Sequence, residues 1–363
     1  MDCMGFFHVR PYAAPTPSGR LMTAASKRIR TPMFIVGAPR SGTTLLRVTL
    51  NRHSELAVCG ETHFFARLYN RRNAFGDPAN TADREQIVGA YLSIEPLHRL
   101  GMDLGNLRSR LLMDGVSWRA LFATVLDEYA LSTGKAYAGE KTPAHALHVK
   151  TLGEWFPNCT IIHLVRDPRA VVASLRNVPW ASRSVLVGVR TWREFNSAAA
   201  AISTRENYIR VKYEDLVARP AEQLERICSH VGLEYQEGML RADPAEYDAA
   251  RPVARAWKEI TPSRRSLWRQ ELEPWQVAAI ETTVGGQMES YGYERETARV
   301  PASAMMRASI EATVEMSFLK VFRFPSALYR RFRPTHLADE QKWIRWSSTM
   351  YGRARLRRPA AAP

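Results

Sequence analysis

The stretch FIVGAPRSGTTLLRVTL, residues 34–50, collects side chains suited to holding an anion. Gly37 and Gly42 let backbone N–H groups come close to oxygen atoms. Thr43 and Thr44 add hydroxyl donors, and Arg40 adds a planar cationic fork; Pro39 and Ser41 complete the loop. An apolar run leads into the loop and a helical pattern leaves it, so a helix N-terminus points at the same spot. A triphosphate loop of this shape ends in Gly-Lys-Ser/Thr, and its lysine reaches the β- and γ-phosphates. Here Thr43 follows Gly42 directly. A loop without that lysine suits a ligand with a single phosphate on the 5′ carbon of a nucleoside.

A second anion site is written in HLVRDPRAVVASL, residues 163–175. Arg166 stands just before a helix opening at Asp167, and Ser174 lies two turns along it. An arginine, a hydroxyl and a helix N-terminus together hold a phosphate. Two such sites at the ends of neighbouring strands fit a nucleotide phosphorylated at both 5′ and 3′ positions. The competing reading makes Arg166 a salt-bridge partner of Asp167 or Glu140, and Ser174 a helix-packing serine.

These loops need a scaffold, and the chain supplies one by strand–helix alternation. Residues 33–38, 56–58, 136–141, 159–167 and 207–216 read as strands. Residues 43–52, 145–156 and 170–176 read as helices, and Pro220 starts another. The segment 83–134 is helical, its clearest part opening at Ser117 and stopping at Gly134. Residues 251–268 read as a loop, and a last helix follows. The pattern predicts an α/β fold, a P-loop-containing parallel sheet with helices on both faces. In such sheets ligands bind at the carboxyl ends of the strands, where all the singled-out turns fall.

The formal charge of the 363-residue chain is +15. Residues 1–30 carry +4 and residues 300–363 carry +8, leaving +3 on the body. A nearly neutral body argues against a nucleic-acid-binding core. The four cysteines lie far apart without zinc spacing, which predicts buried free thiols and a cytoplasmic protein.

GAPRSGTTLL and HLVRDPRAVVASL, in this order, resemble the two phosphate motifs of sulfotransferases that use 3′-phosphoadenosine 5′-phosphosulfate (PAPS). GETHFF (60–65), GEKTPAH (139–145) and VKYEDLVARP (211–220) are similar to further motifs of the bacterial, carbohydrate and tyrosylprotein branches. The resemblance covers residues 33–290. It implies PAPS as co-substrate and no metal. It implies the 5′ site at Pro39, Arg40, Ser41, Gly42, Thr43 and Thr44, and the 3′ site at Arg166 and Ser174. Glu61 then becomes the base, with His63 as its rival, and Lys141 the contact to the transferring group. Tyr213 resembles a nucleotide-contacting tyrosine. Arg264 and Arg265 fall where the family closes a flexible segment over the 3′-phosphate, with Trp268 packing beneath. That loop departs from the Arg-Lys-Gly form of the cytosolic branch, which leaves the acting arginine open.

The implied activity is sulfonate transfer to a hydroxyl of a glycan, lipid or secondary metabolite. Two other classes stay in view: a P-loop phosphoryl-transfer enzyme or NTPase, and a non-catalytic nucleotide-binding scaffold. The chain divides into a flexible basic leader (1–30), a catalytic domain (31–299) and a basic, aromatic-containing helical extension (300–363). Trp343 and Trp346, three apart among cations, suit contact with anionic lipid and thus membrane association. A helix folded back on the domain and a homodimer contact are the other uses of that tail.

Overall fold

Strand β1 (Met33–Val36) is apolar at every position because both of its faces are covered. Phe34 and Val36 pack into one layer with Phe64 and Phe122, while Met33 and Ile35 pack into the other with Leu45 and Leu46. The computed structural model describes residues 31–178, 180–241, 266–297 and 302–314. Within these, β1 is joined by β2 (Leu56–Cys59), β3 (Tyr137–Lys141), β4 (Thr160–Val165) and β5 (Tyr208–Lys212) in one sheet of order β2-β3-β1-β4-β5. Every pairing is parallel. The chain thus winds from β1 to β2 and β3 on one side, then to β4 and β5 on the other. Such a reversal opens a crevice at the carboxyl end of β1.

Helix α1 (Thr43–Asn51) leaves the β1 loop and buries Leu45, Leu46 and Leu50. Between β2 and β3 run α2 (Phe64–Arg67), α3 (Arg72–Phe75), α4 (Thr81–Leu92), α5 (Glu95–His98), α6 (Leu104–Asp114) and α7 (Trp118–Thr133). The ends of α7 are those expected. The Ser117 hydroxyl accepts from the Ala120 amide at 3.1 Å, and Gly134 closes the helix at φ 67°. The helix expected over 145–156 is split into a 3-10 segment (Pro143–His148) and α8 (Val149–Trp155).

Helix α9 (Pro168–Arg176) follows β4 with Asp167 as its cap, its carboxylate accepting from the Arg169 amide at 2.8 Å. Helix α10 (Val185–Ala200), which the sequence reading passed over, packs on α9. The strand expected over 207–216 stops at Lys212. Glu214 and Asp215 favour a helix N-terminus, so α11 (Tyr213–Ala218) begins there, followed by α12 (Pro220–Val231). Of the expected 251–268 loop, residues 251–265 lie outside the described residues and 266–267 form a turn into helix α13 (Trp268–Glu271), which α14 (Pro274–Ser290) follows. A helix over 302–314 folds back on the domain, burying Ala304 and Ala308. Its Glu311 pairs with Arg176 at 2.8 Å and accepts from the Val185 amide at 3.0 Å. The 1–30 leader, Cys3, and the tail beyond 314 with Trp343 and Trp346 lie outside the described residues. Cys59, Cys159 and Cys228 are buried free thiols.

Candidate active site at the carboxyl edge of the sheet

The loop after β1 depends on two glycines. Gly37 has φ 149°, and a Cβ there would stand 2.3 Å from the Leu164 carbonyl oxygen of β4. Gly42 has φ 93°, and its Cβ would meet the Tyr213 ring at 2.4 Å. Arg40 adopts φ 70°, a left-handed conformation without glycine's freedom. It is held there from both sides. Arg40 Nε donates to Ser174 Oγ at 3.0 Å, and Arg166 Nη1 donates to the Arg40 carbonyl at 3.0 Å. The structure therefore brings Arg40, Arg166 and Ser174 into one cluster at the ends of β1 and β4.

The Arg166 guanidinium lies 4.3 Å from the centre of the Tyr213 ring. The expected alternative, a pairing of Arg166 with Asp167, does not form. Arg169 takes that carboxylate at 2.8 Å and reaches Glu281 at 2.7 Å. Trp192 of α10 donates its indole N–H to the Arg166 carbonyl at 2.8 Å, so the overlooked helix fixes the residue. Ser41 Oγ and Arg166 Nε are buried and have no hydrogen-bond partner among the described residues. Two donors left unsatisfied around a glycine-lined cradle fit an oxygen-rich anion. Trp268 is buried between the guanidinium groups of Arg169 and Arg269, 4.2 and 4.5 Å from its ring. Arg264 and Arg265 lie outside the described residues.

Across the crevice, β2 and β3 end in charge. Lys141 Nζ donates to Glu61 Oε1 at 2.5 Å, the lysine buried and the Glu61 side chain 37% exposed. His63 Nε2 stands 3.4 Å from Glu61 Oε2. Burial lowers the His63 pKa, opposed by the charges of Glu61 and Glu140, so the imidazole is neutral near pH 7. Burial lowers the Lys141 pKa, opposed by Glu61 and helped by Arg47. Arg47 is half-buried one turn beyond Thr43 on α1, and the sequence reading missed it. Its i+4 spacing from Thr43 was the available signal.

Glu140 does not neutralise Lys141 by contact. Its carboxylate is fully buried and turned toward Thr62, Thr142 and His145. Thr142, which precedes the 3-10 segment, spends its hydroxyl on Glu140 and makes no cap bond. Among the described residues no group of three or more His, Cys, Asp or Glu converges as a metal site would require.

The Sulfotransferase family model matches residues 32–237, more than half of the chain. The chain belongs to the sulfotransferase family. Over 294 residues this sulfotransferase is 26% identical to the nodulation protein NoeE of Sinorhizobium fredii, covering 72% of this chain and 66% of NoeE, just short of two thirds of that protein. Over 326 residues it is 24% identical to the omega-hydroxy-beta-dihydromenaquinone-9 sulfotransferase Stf3 of Mycobacterium tuberculosis, covering 77% and 79% of the two chains. The sulfotransferase domain of the Synechococcus PCC 7002 olefin synthase superposes with a TM-score of 0.54 at 24% identity, over 73% of this chain and 95% of that one. The parallel sheet with flanking helices is thus the sulfotransferase fold expected from the sequence.

Proposed function

We propose that this sulfotransferase, its catalytic domain spanning residues 31–299, moves the sulfonate of PAPS to a hydroxyl of a small-molecule, lipid or glycan acceptor. The observation that carries the reading is the meeting of Arg40, Arg166 and Ser174, which makes one continuous anion cradle from two distant segments. PAPS brings an electrophilic sulfur and leaves as adenosine 3′,5′-bisphosphate. Pro39, Arg40, Ser41, Gly42, Thr43 and Thr44 hold its 5′ end. Arg166 and Ser174, with Arg264 or Arg265, hold the 3′-phosphate, and the Tyr213 ring backs Arg166. Glu61 takes the acceptor's proton, which its partial exposure permits. Lys141 neutralises charge growing on the departing oxygen. His63, neutral and beside Glu61, orients that carboxylate and the acceptor hydroxyl.

Calorimetric binding of adenosine 3′,5′-bisphosphate against magnesium-ATP, with wild type and Arg166→Ala, tests the reading. Bisphosphate binding that the substitution weakens supports it. Preference for magnesium-ATP overturns it in favour of phosphoryl transfer. Bisphosphate binding without transfer of label from PAPS to any hydroxyl compound favours the scaffold.

A lipid acceptor is the subclass with an observation behind it. Met306, Ile310 and Val314, four residues apart, form an exposed apolar stripe on the 302–314 helix where the basic tail begins. Stf3 is named for a hydroxylated menaquinone. We place the enzyme in the cytoplasm, which the three free thiols favour, with this stripe against an anionic membrane. No described helix is long and apolar enough to cross one. Flotation with phosphatidylglycerol vesicles should weaken when all three stripe residues become Gln.

A further inference from the structure

Lys141 and Glu140 are neighbours on β3, and strand alternation sends their side chains to opposite faces. Lys141 meets Glu61. Glu140 is fully buried, so it touches no acceptor. Its Oε1 accepts from the Thr62 amide at 3.1 Å, from the Thr62 hydroxyl at 2.9 Å, and from the Thr142 hydroxyl. Its Oε2 lies 2.8 Å from His145 Nδ1, without hydrogen-bond alignment. The His145 ring is itself wedged edge-on against Phe65 and Phe122.

Thr62 is the residue between Glu61 and His63, and every polar atom it has is engaged. Beyond its two donations to Glu140, its hydroxyl accepts from the Phe64 amide at 3.3 Å and its carbonyl from the Tyr91 hydroxyl at 3.4 Å. The chain then turns through His63 at φ 51°, a conformation that must be imposed on a residue other than glycine. Nothing about Glu61 itself imposes it. The side chain is part-exposed and meets Lys141 and His63.

We infer that Glu140 is a positioning residue: by gripping Thr62 from the strand that carries Lys141, it sets the Glu61 carboxylate against the Lys141 ammonium. The inference rests on the sulfotransferase reading for what Glu61 does, and on geometry alone for the grip. Burial would push the Glu140 carboxyl up, but the nearby His145 and the bonds from Thr142 and Thr62 outweigh it, so the grip is made by a carboxylate.

Removing Glu140 outright leaves buried donors unsatisfied and risks the fold, so the test acts on the other partner. Thr62→Val deletes the hydroxyl and keeps shape and amide; Thr62→Ser restores the hydroxyl. Three quantities are read in the full chain: release of adenosine 3′,5′-bisphosphate from PAPS with water or added hydroxyl compounds as acceptor, calorimetric affinity for the bisphosphate, and hydrogen exchange of the peptide carrying residues 61–64. A misplaced base slows the chemical step by about tenfold to a hundredfold. Thr62→Val should lose that much kcat, keep its bisphosphate affinity within about twofold, and exchange faster, with Thr62→Ser close to wild type on all three. Unchanged exchange, wild-type kcat in Thr62→Val, failure of Thr62→Ser to rescue, or affinity falling in step with kcat would each overturn the grip. A wild type that releases no bisphosphate from PAPS, with exchange still accelerated in Thr62→Val, sinks the sulfonate-transfer reading and leaves the grip standing.

Discussion

At the β1, β4 and β5 ends of the sheet, polar groups are left waiting: Ser41 Oγ and Arg166 Nε are buried without partners. At the β2 and β3 ends the charges are settled among themselves. Glu61 is closed on Lys141 and flanked by His63, and Glu140 takes the bonds of two threonines on Oε1 while its Oε2 faces the buried His145. The first region has donors free to meet the anion proposed for it. The second pairs its charges with one another, so its proposed work consists of exchanging partners it already holds. The proposed binding site and the proposed proton-transfer site thus differ here in how their charges are met, although one crevice holds both.

The division is most sharply tested at Glu61. Glu61→Gln should lower transfer from PAPS by about a thousandfold, within the range of a lost general base, and leave bisphosphate affinity untouched. A parallel loss of affinity would break the division. Next comes acid stability on the phosphate side, where His163 sits buried on β4 with Nε2 2.9 Å from Asn196 Oδ1. Burial lowers its pKa from 6.5 to about 4. Between those values the unfolded chain binds the extra proton, so stability falls as the pH drops through this window. The full loss, roughly 3 kcal/mol, is reached below the folded value. Denaturant midpoints from pH 7 to about pH 4 should show that slope, flattened in His163→Gln. Arg166→Ala should weaken bisphosphate binding by about thirtyfold, the worth of a charged hydrogen bond, with little change in the pH dependence of turnover. Ser174→Ala is the mildest, about fivefold in affinity, and should leave kcat alone.

The same division explains what was legible in the sequence. The phosphate loop, α1 and the α9 cap are local: glycine positions, a helix start and an arginine at fixed offsets can be read from contiguous residues. The meeting of Arg40 with Ser174 follows once β1 and β4 are taken as neighbours. The β2 and β3 side depends on contacts across 78 residues, such as Thr62 to Glu140, which no periodicity encodes. Nothing in the contiguous residues tells that Glu140 turns to Thr62 and His145, or that Thr142 gives its hydroxyl to Glu140. Helix α10 was overlooked although Ser184 caps it, its hydroxyl accepting from the Val187 amide at 3.4 Å. At β5 the run of Tyr208–Lys212 flows into Tyr213 without a turn residue, so strand and helix shared one apolar pattern.

Among the described residues other than glycine, only Arg40 and His63 have positive φ, and each sits beside chemistry. A left-handed conformation costs such a residue on the order of 1 kcal/mol. Glycine at either position would relieve that cost, since the backbone already has the shape glycine prefers. A thermostability selection blind to activity would therefore be drawn to these two sites, and would raise the melting temperature by dismantling the proposed anion fork and the partner of the proposed base. On the proposed roles, robustness and turnover compete at these two residues, so any stabilised variant should be built with both held fixed.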